Sequence, residues 1–300
     1  MLQRQRYSLV LTNRETEVIN KKLIRWTFGE AGGLSTETFA KADIIKWKGF
    51  DGLPLSGFIY KPQMNTRVKR PVLIEIHGGP EAQARPEFLQ SNNYLINELG
   101  LVIIQPNIRG SSGFGKTFLK ADDGLRRMDA YKDIESLIDW VKKQPDLDAE
   151  RIMLTGGSYG GIATLAAVTF FGDKIRCGLS VAGASNLVSF LENTSDYRQD
   201  LRRVEYGDER DAATRNFLES IAPLNNIAKI KKPLFIVQGA NDPKIPTSEA
   251  EQMVNALNNN NTPAWYLLAK DEGHGYGKKS NQDYLLYATI LFIEKYLLDD

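Results

Sequence analysis

From about residue 42 onward the chain alternates short apolar runs with amphipathic stretches, and that order admits few folds. The strand candidates are Asp43 to Lys48, Leu55 to Tyr60, Val72 to Ile76, Leu101 to Gln105, Arg151 to Thr155, Gly178 to Val181, Leu234 to Gln238 and Trp265 to Ala269. Several are continuous apolar runs, as expected of parallel strands covered on both faces. Helix candidates lie between them: Pro86 to Leu99, Ala130 to Lys143, Ile162 to Phe171, Ser248 to Leu257 and Asp283 to Leu298. In the second of these, Ile134, Leu137, Ile138 and Val141 fall on one face. Repeated β-then-α order predicts an α/β domain: a mostly parallel, doubly wound sheet of about eight strands flanked by helices.

Two stretches break the rhythm. Residues 1–40 read as a strand pair (Tyr7 to Leu11, Glu17 to Ile19) followed by Gly29-Glu30-Ala31-Gly32-Gly33-Leu34-Ser35-Thr36, which has linker composition. Residues 41–300 read as the main domain. Within it, residues 184–230 are polar and rich in Arg, Asp and Asn, and are expected as an insertion between the sixth and seventh strands.

Gly156-Gly157-Ser158-Tyr159-Gly160 is the single G-x-S-x-G of the chain. The strand candidate Ile152 to Thr155 runs into it and a helix candidate leaves it, the strand–turn–helix setting of a nucleophile elbow. Glycines two before and two after the serine relieve crowding where a strained backbone lifts the hydroxyl off the sheet. A serine needs a base to take its proton, and the sequence holds two histidines, His77 and His274. His274 follows the last strand, at the same sheet edge as the serine. His77 ends the third strand before Gly78-Gly79-Pro80 and is read as a structural residue pinning that loop. Asp242 follows the seventh strand and can orient the imidazole. Ser158, Asp242, His274 is the chain order of the α/β-hydrolase fold. The oxyanion donors expected are the N–H of Tyr159, next to the nucleophile, and the N–H of Gly79 in the loop after the third strand. Candidates for the substrate pocket are Tyr159, Val188, Phe190 and Phe114. Arg198, Arg202 and Arg203 in the insertion can hold a substrate carbonyl or carboxylate; a solvated helix face is the competing reading of these arginines.

Composition excludes several other classes. Lys and Arg total 38 against 37 Asp and Glu, so no basic surplus points to nucleic acid or an anionic membrane. One cysteine, Cys177, allows neither an intrachain disulfide nor a cysteine zinc cluster. No metal and no cofactor are expected. The longest apolar runs fall far short of a membrane span, and the first residues turn polar too soon for a signal peptide. A cytoplasmic location is expected, although a chain trimmed of an export signal would read the same.

His77-Gly78-Gly79-Pro80, Arg109-Gly110-Ser111-Ser112-Gly113-Phe114-Gly115, Gly156 to Gly161, Gly239-Ala240-Asn241-Asp242-Pro243 and Glu272-Gly273-His274-Gly275 together resemble the S9 (prolyl oligopeptidase) serine peptidases. Their acylaminoacyl-peptidase-like bacterial branch is the nearest likeness, from about Lys41 to the C-terminus. The resemblance implies cleavage of short peptides or acylated amino acids through an acyl-enzyme on Ser158, without a cofactor. Members usually carry a long β-propeller ahead of this domain. Here about forty residues precede it, and residues 7–36 look like the end of such a propeller or its replacement. An uncovered catalytic domain would expose surface, so a homo-oligomer is an expectation too.

Two other readings compete. The same triad serves a carboxylesterase acting on small acyl esters, because an alkoxide or phenoxide leaves more readily than an amine. A second reading is of another class. Gly110 to Thr117 matches the nucleotide-binding pattern G-x-x-x-x-G-K-[ST]. That pattern needs a strand running into its first glycine and a long helix after its threonine, and Asp122-Asp123-Gly124 interrupt any such helix.

Overall fold

In a computed structural model of the chain, which describes residues 8–9, 12–17, 22–25, 36–63 and 68–299, the eight apolar runs pair into one sheet. Three short strands precede it, β1 (Ser8–Leu9), β2 (Thr12–Glu17) and β3 (Lys22–Arg25), in a small antiparallel sheet of their own. Where a strand pair is expected, three short strands are described. Tyr7, Val10, Leu11, Val18, Ile19 and the glycine-rich stretch up to Ser35 lie outside the described residues.

The main sheet comprises β4 (Ala42–Lys48), β5 (Pro54–Tyr60), β6 (Arg70–Ile76), β7 (Val102–Asn107), β8 (Leu147–Gly157), β9 (Cys177–Val181), β10 (Leu234–Gly239) and β11 (Ala264–Ala269). Its spatial order is β11-β10-β9-β8-β6-β7-β5-β4. The six strands from β6 to β11 are parallel, and β4 and β5 add antiparallel at one edge. Nine helices are described: α1 (Asn92–Asn97), α2 (Lys116–Leu119), α3 (Arg127–Val141), α4 (Tyr159–Phe170), α5 (Leu187–Asn193), α6 (Asp196–Tyr206), α7 (Ala212–Ile221), α8 (Thr247–Asn259) and α9 (Lys279–Ile293).

Because strand side chains alternate between faces, each parallel strand serves two cores. Val72, Ile74 and Ile76 of β6 join α3, α4 and α8 on one face. Leu73 joins Leu95 and Ile96 of α1 and Phe292 and Ile293 of α9 on the other. Truncating one of these fully buried Leu, Ile or Phe side chains to alanine costs about 2–5 kcal/mol, so both faces contribute to holding the sheet that carries the site. The helix expected over Pro86 to Leu99 is shorter, running only from Asn92 to Asn97. Gln90 stands at φ +45°, where a right-handed helix cannot pass, and Asn107 clamps Ala84 through both its backbone groups. Between β9 and β10, residues 184–230 carry α5, α6 and α7, packed around buried Leu187, Phe190, Leu191, Tyr206 and Leu218.

Register sets what emerges where. Ile76 pairs with Gly156, Gly157 with Val181, Val181 with Val237, and Gly239 with Ala269. The carboxyl ends of β6, β8, β9, β10 and β11 are therefore nearly level. His77, Ser158, Asp242 and His274 all leave the sheet at that one edge.

Candidate active site

The end of β8 admits only glycine at two positions. A Cβ on Gly156 would stand 2.6 Å from the Ile76 carbonyl oxygen, and one on Gly160 only 2.0 Å from it. With both side chains absent, the chain passes from β8 to α4 through a single residue, Ser158, at φ +57° and ψ −119°. Such a backbone costs on the order of 1–3 kcal/mol and persists only where its surroundings hold it. Here the Ser158 N–H donates to Val181 O at 2.9 Å, and the Ser158 carbonyl accepts from the Ile162 N–H at 3.0 Å. Ser158 is half-buried at the N-terminus of α4. The first N–H groups of a helix, that of Tyr159 among them, lack intrahelical acceptors and favour negative charge nearby.

Asp242 is anchored before it meets histidine. Its Oδ1 accepts the N–H groups of Lys244 at 2.8 Å and Ile245 at 3.1 Å. Its Oδ2 accepts from His274 Nδ1 at 2.8 Å and from Gln238 Nε2 at 3.3 Å. Burial of this carboxylate opposes its charge, yet the His274 bond and the two backbone N–H groups together hold its pKa below the ordinary carboxylate range. The histidine loop is brought to it by another glycine. A Cβ on Gly239 would lie 2.1 Å from Gly273 O, so the loop after β11 folds tightly over the end of β10. Asn241 N–H then donates to Glu272 O at 2.9 Å. Glu272 closes the far side, accepting from the N–H groups of Gly277 and Lys278 at 3.0 and 2.9 Å and from Asn281 at 2.8 Å.

The glycine loop after β6 lies directly against the serine. A Cβ on Gly78 would come 3.2 Å from Gly157 O and 3.6 Å from Ser158 Cβ. Gly79 has φ +128°, and a Cβ there would meet Glu81 N at 2.6 Å. His77 joins this loop to the next: Nδ1 donates to Gly78 O at 2.8 Å and Nε2 meets Ser111 Oγ at 2.8 Å. Burial lowers its pKa, with the Gly78 bond opposing. His77 thus has a pinning place and His274 the aspartate.

Beneath Tyr159 lies a cluster that the sequence reading did not find. Arg127 is fully buried, its guanidinium 5.3 Å from the centre of the Tyr159 ring and 4.8 Å from that of Tyr206. It pairs with Asp122 and Glu205 and donates to the Glu205 carbonyl at 3.0 Å. One guanidinium serves two buried carboxylates, so burial pushes Asp122 up to about 6 and Glu205 up to about 7 while Arg127 opposes. A signal existed: Arg127 sits three residues before Ala130 and seven before Ile134, on the apolar stripe of α3. Asp122, Asp123 and Glu205 are also the one acidic trio among the described residues close enough to share a cation, but Arg127 already occupies two of them.

The other candidates separate. Phe190 is buried and packs edge-on against Tyr206 at 5.8 Å, and Val188 is buried with it. Phe114 is 44% exposed and rests on Phe118. Arg203 is committed to Glu209 and Asp200. Arg202 reaches the glycine loop, 3.3 Å from Gly79 O and 3.6 Å from Glu81. The Gly110 to Thr117 loop precedes a helix of only four residues, α2. Its Gly110 makes room for the Asp122 carboxylate, 2.4 Å from where a Cβ would be.

An eight-stranded sheet of this order, with a left-handed serine between its fifth strand and the following helix, is the α/β-hydrolase fold. Within that class the chain belongs to the prolyl oligopeptidase family, whose sequence profile matches residues 86–300. Dipeptidyl aminopeptidase BIII of Pseudoxanthomonas mexicana is 37% identical over 216 residues, covering 70% of this chain and 31% of that protein. A puromycin-hydrolyzing peptidase of Mycobacterium tuberculosis superposes with a TM-score of 0.85 at 23% identity, over 95% of this chain and 44% of its own. The acylaminoacyl peptidase of Pyrococcus horikoshii gives 0.82 at 23%, over 92% and 46%. These two likenesses concern the fold. The chain spans about a third of the length of the curated relatives it matches.

Proposed function

We propose that the chain is a serine hydrolase that cleaves short peptides or acylated amino acids through an acyl-enzyme on Ser158. The observation that carries the reading is the anchored Asp242–His274 pair at the sheet edge where Ser158 stands in a strained turn. In this mechanism His274, its Nδ1–H held by Asp242, presents Nε2 as the base that takes the Ser158 proton. Ser158 Oγ attacks the carbonyl carbon. The oxyanion is received by the N–H groups of Tyr159 and Gly79, and the position of Gly78 against Ser158 supports the second donor. His274 then protonates the leaving group and activates water for deacylation.

The test is a panel of p-nitrophenyl acyl esters beside aminoacyl and acetyl-aminoacyl p-nitroanilides, with Ser158→Ala as control. Turnover of both substrate types is expected, lost in Ser158→Ala with folding retained, since alanine has the same Cβ. Ester turnover without amide turnover would replace the peptidase reading by a carboxylesterase, and activity surviving in Ser158→Ala would refute the nucleophile. No helix among the described residues is long and apolar enough to cross a membrane. A cytoplasmic setting belongs to the same proposal, supported by a single, buried cysteine. So does self-association, which exposed Tyr284, Tyr287 and Leu291 on α9 support and sedimentation can check.

A further inference from the structure

Helix α6 crosses from the aspartate loop to the glycine loop. At its start, Thr194 Oγ1 donates to Lys244 O at 2.8 Å and Ser195 Oγ to Pro243 O at 2.6 Å, two residues and one residue past Asp242. One turn before its end, Arg202 reaches Gly79 O and Glu81. At its end Glu205 meets Arg127 beneath Tyr159. Residues 198, 202 and 205 share one helix face. Arg198, one turn before Arg202 on that face, therefore lies between the contacts to the loop of Asp242 and the contact to the loop of Gly79.

The arginines of the insertion are not equivalent. Arg203, Arg210 and Arg215 are paired with Glu209, Asp208 and Glu192 at 2.5 to 2.8 Å. The guanidinium of Arg198 has no hydrogen bond or ion pair among the described residues, and its Nε is buried without a partner. Arg202 is held loosely, at 3.3 and 3.6 Å, and its Nε is buried and unpartnered too. A buried donor left unmatched is costly, and Glu209, Asp208 and Glu192, which satisfy the neighbouring arginines, pair with neither Arg198 nor Arg202 among the described residues. Among those residues Glu81 is the one acidic side chain that either guanidinium meets, at 3.6 Å from Arg202, while Glu205 on the same helix face is taken by Arg127. The planar forks of Arg198 and Arg202 suit a monoanionic carboxylate.

We propose that Arg198 and Arg202 form a subsite for a carboxylate carried by the substrate. This rests on the acyl-transfer reading at Ser158 and names its substrate class: short peptides or acylated amino acids bearing a free carboxylate near the scissile bond. The carboxylate has two sources, the C-terminus of the leaving portion or an acidic group on the acyl portion.

Two matched comparisons separate them. One sets peptides ending in a free carboxylate against the same peptides ending in a carboxamide. The other sets N-succinyl against N-acetyl aminoacyl p-nitroanilides. In the wild-type protein one of the two kcat/KM ratios is expected to favour the carboxylate by about tenfold or more, the scale of one charge-assisted hydrogen bond. Arg198→Gln should bring that ratio close to one, and Arg198→Lys, which keeps the charge without the fork, should retain part of it. Each ratio is internal to one protein, so a general loss of activity leaves it readable. Ratios near one in both comparisons, from a wild-type protein that turns over the uncharged substrates, would overturn the subsite alone, as would a ratio unchanged in Arg198→Gln. If Arg198→Gln does not fold, the wild-type ratios and Arg198→Lys still decide. A wild-type protein inert on every ester, anilide and peptide would overturn the acyl-transfer reading itself.

Discussion

Asp242→Asn probes the Asp–His pair without changing its shape. Oδ1 of Asp242 accepts two backbone N–H groups, from Lys244 at 2.8 Å and Ile245 at 3.1 Å, while Oδ2 faces His274 Nδ1 at 2.8 Å. An asparagine must leave its carbonyl oxygen on those two donors, because an amide NH2 there would oppose both. The NH2 then points at Nδ1 and needs an acceptor. The imidazole meets that need by carrying its proton on Nε2, the tautomer that cannot take a proton from Ser158. In Ser-His-Asp triads the same change lowers kcat by about 10⁴, close to 5.5 kcal/mol at about 1.36 kcal/mol per factor of ten. A loss of about 10³–10⁴ in kcat/KM is expected on a p-nitrophenyl ester, with circular dichroism unchanged. His274→Ala, which removes the base altogether, should lose more. Activity within about tenfold of wild type in Asp242→Asn, or a loss equal to or beyond that of His274→Ala, would refute the assigned roles.

Two further outcomes follow from packing and charge. Gly160→Ala places a methyl 2.0 Å from the Ile76 carbonyl, a backbone atom that cannot swing aside. Destabilisation beyond the roughly 1–3 kcal/mol usual for overpacking is expected in denaturant unfolding, and near-wild-type stability would contradict the described elbow. Glu205 has a folded-state pKa of about 7, raised by burial from 4.5 against the pull of Arg127. Its contribution is therefore whole below about 4.5 and is lost as the pH rises through about 7. Glu205→Gln removes that titration and should flatten the fall in unfolding free energy across this window. A pH slope identical to that of the wild type would show that Glu205 does not titrate there.

The parallel strands were legible because a covered parallel strand has little polar face to blur it: β6 to β10, and the less covered edge strand β11, all overlap the apolar runs that predict them. Ser158, Asp242 and His274 were legible as residues because each follows a strand of the same sheet, and the register makes those strand ends level. The helix over Pro86 to Leu99 misled because composition cannot show Gln90 in a left-handed backbone or Asn107 holding the preceding segment extended. In the insertion, composition shows an interruption of the sheet but not what holds it together: Arg203 and Glu209 satisfy one another, while Leu187, Phe190, Leu191, Tyr206 and Leu218 make its core. Pairing of that kind depends on contacts across turns and elements, and no periodicity in the chain announces it.

Arg127 carries the argument furthest from periodicity. It occupies an apolar-stripe position on α3, where a charge should be expelled, and it is retained because Asp122 and Glu205 close on it from two directions. A buried pair of this kind is weak evidence of stability, since well-packed apolar residues would often serve as well. Its consequence here is positional. The guanidinium packs on the ring of Tyr159, whose backbone N–H is the proposed oxyanion donor, and it is tied to α6, whose Arg202 reaches the glycine loop. A donor aimed at a developing charge helps catalysis only when it is already in place, with no reorganisation left to make. The buried ion cluster therefore links the insertion to the elbow by direct contact, from Glu205 of α6 through Arg127 to the ring of Tyr159, without touching Ser158.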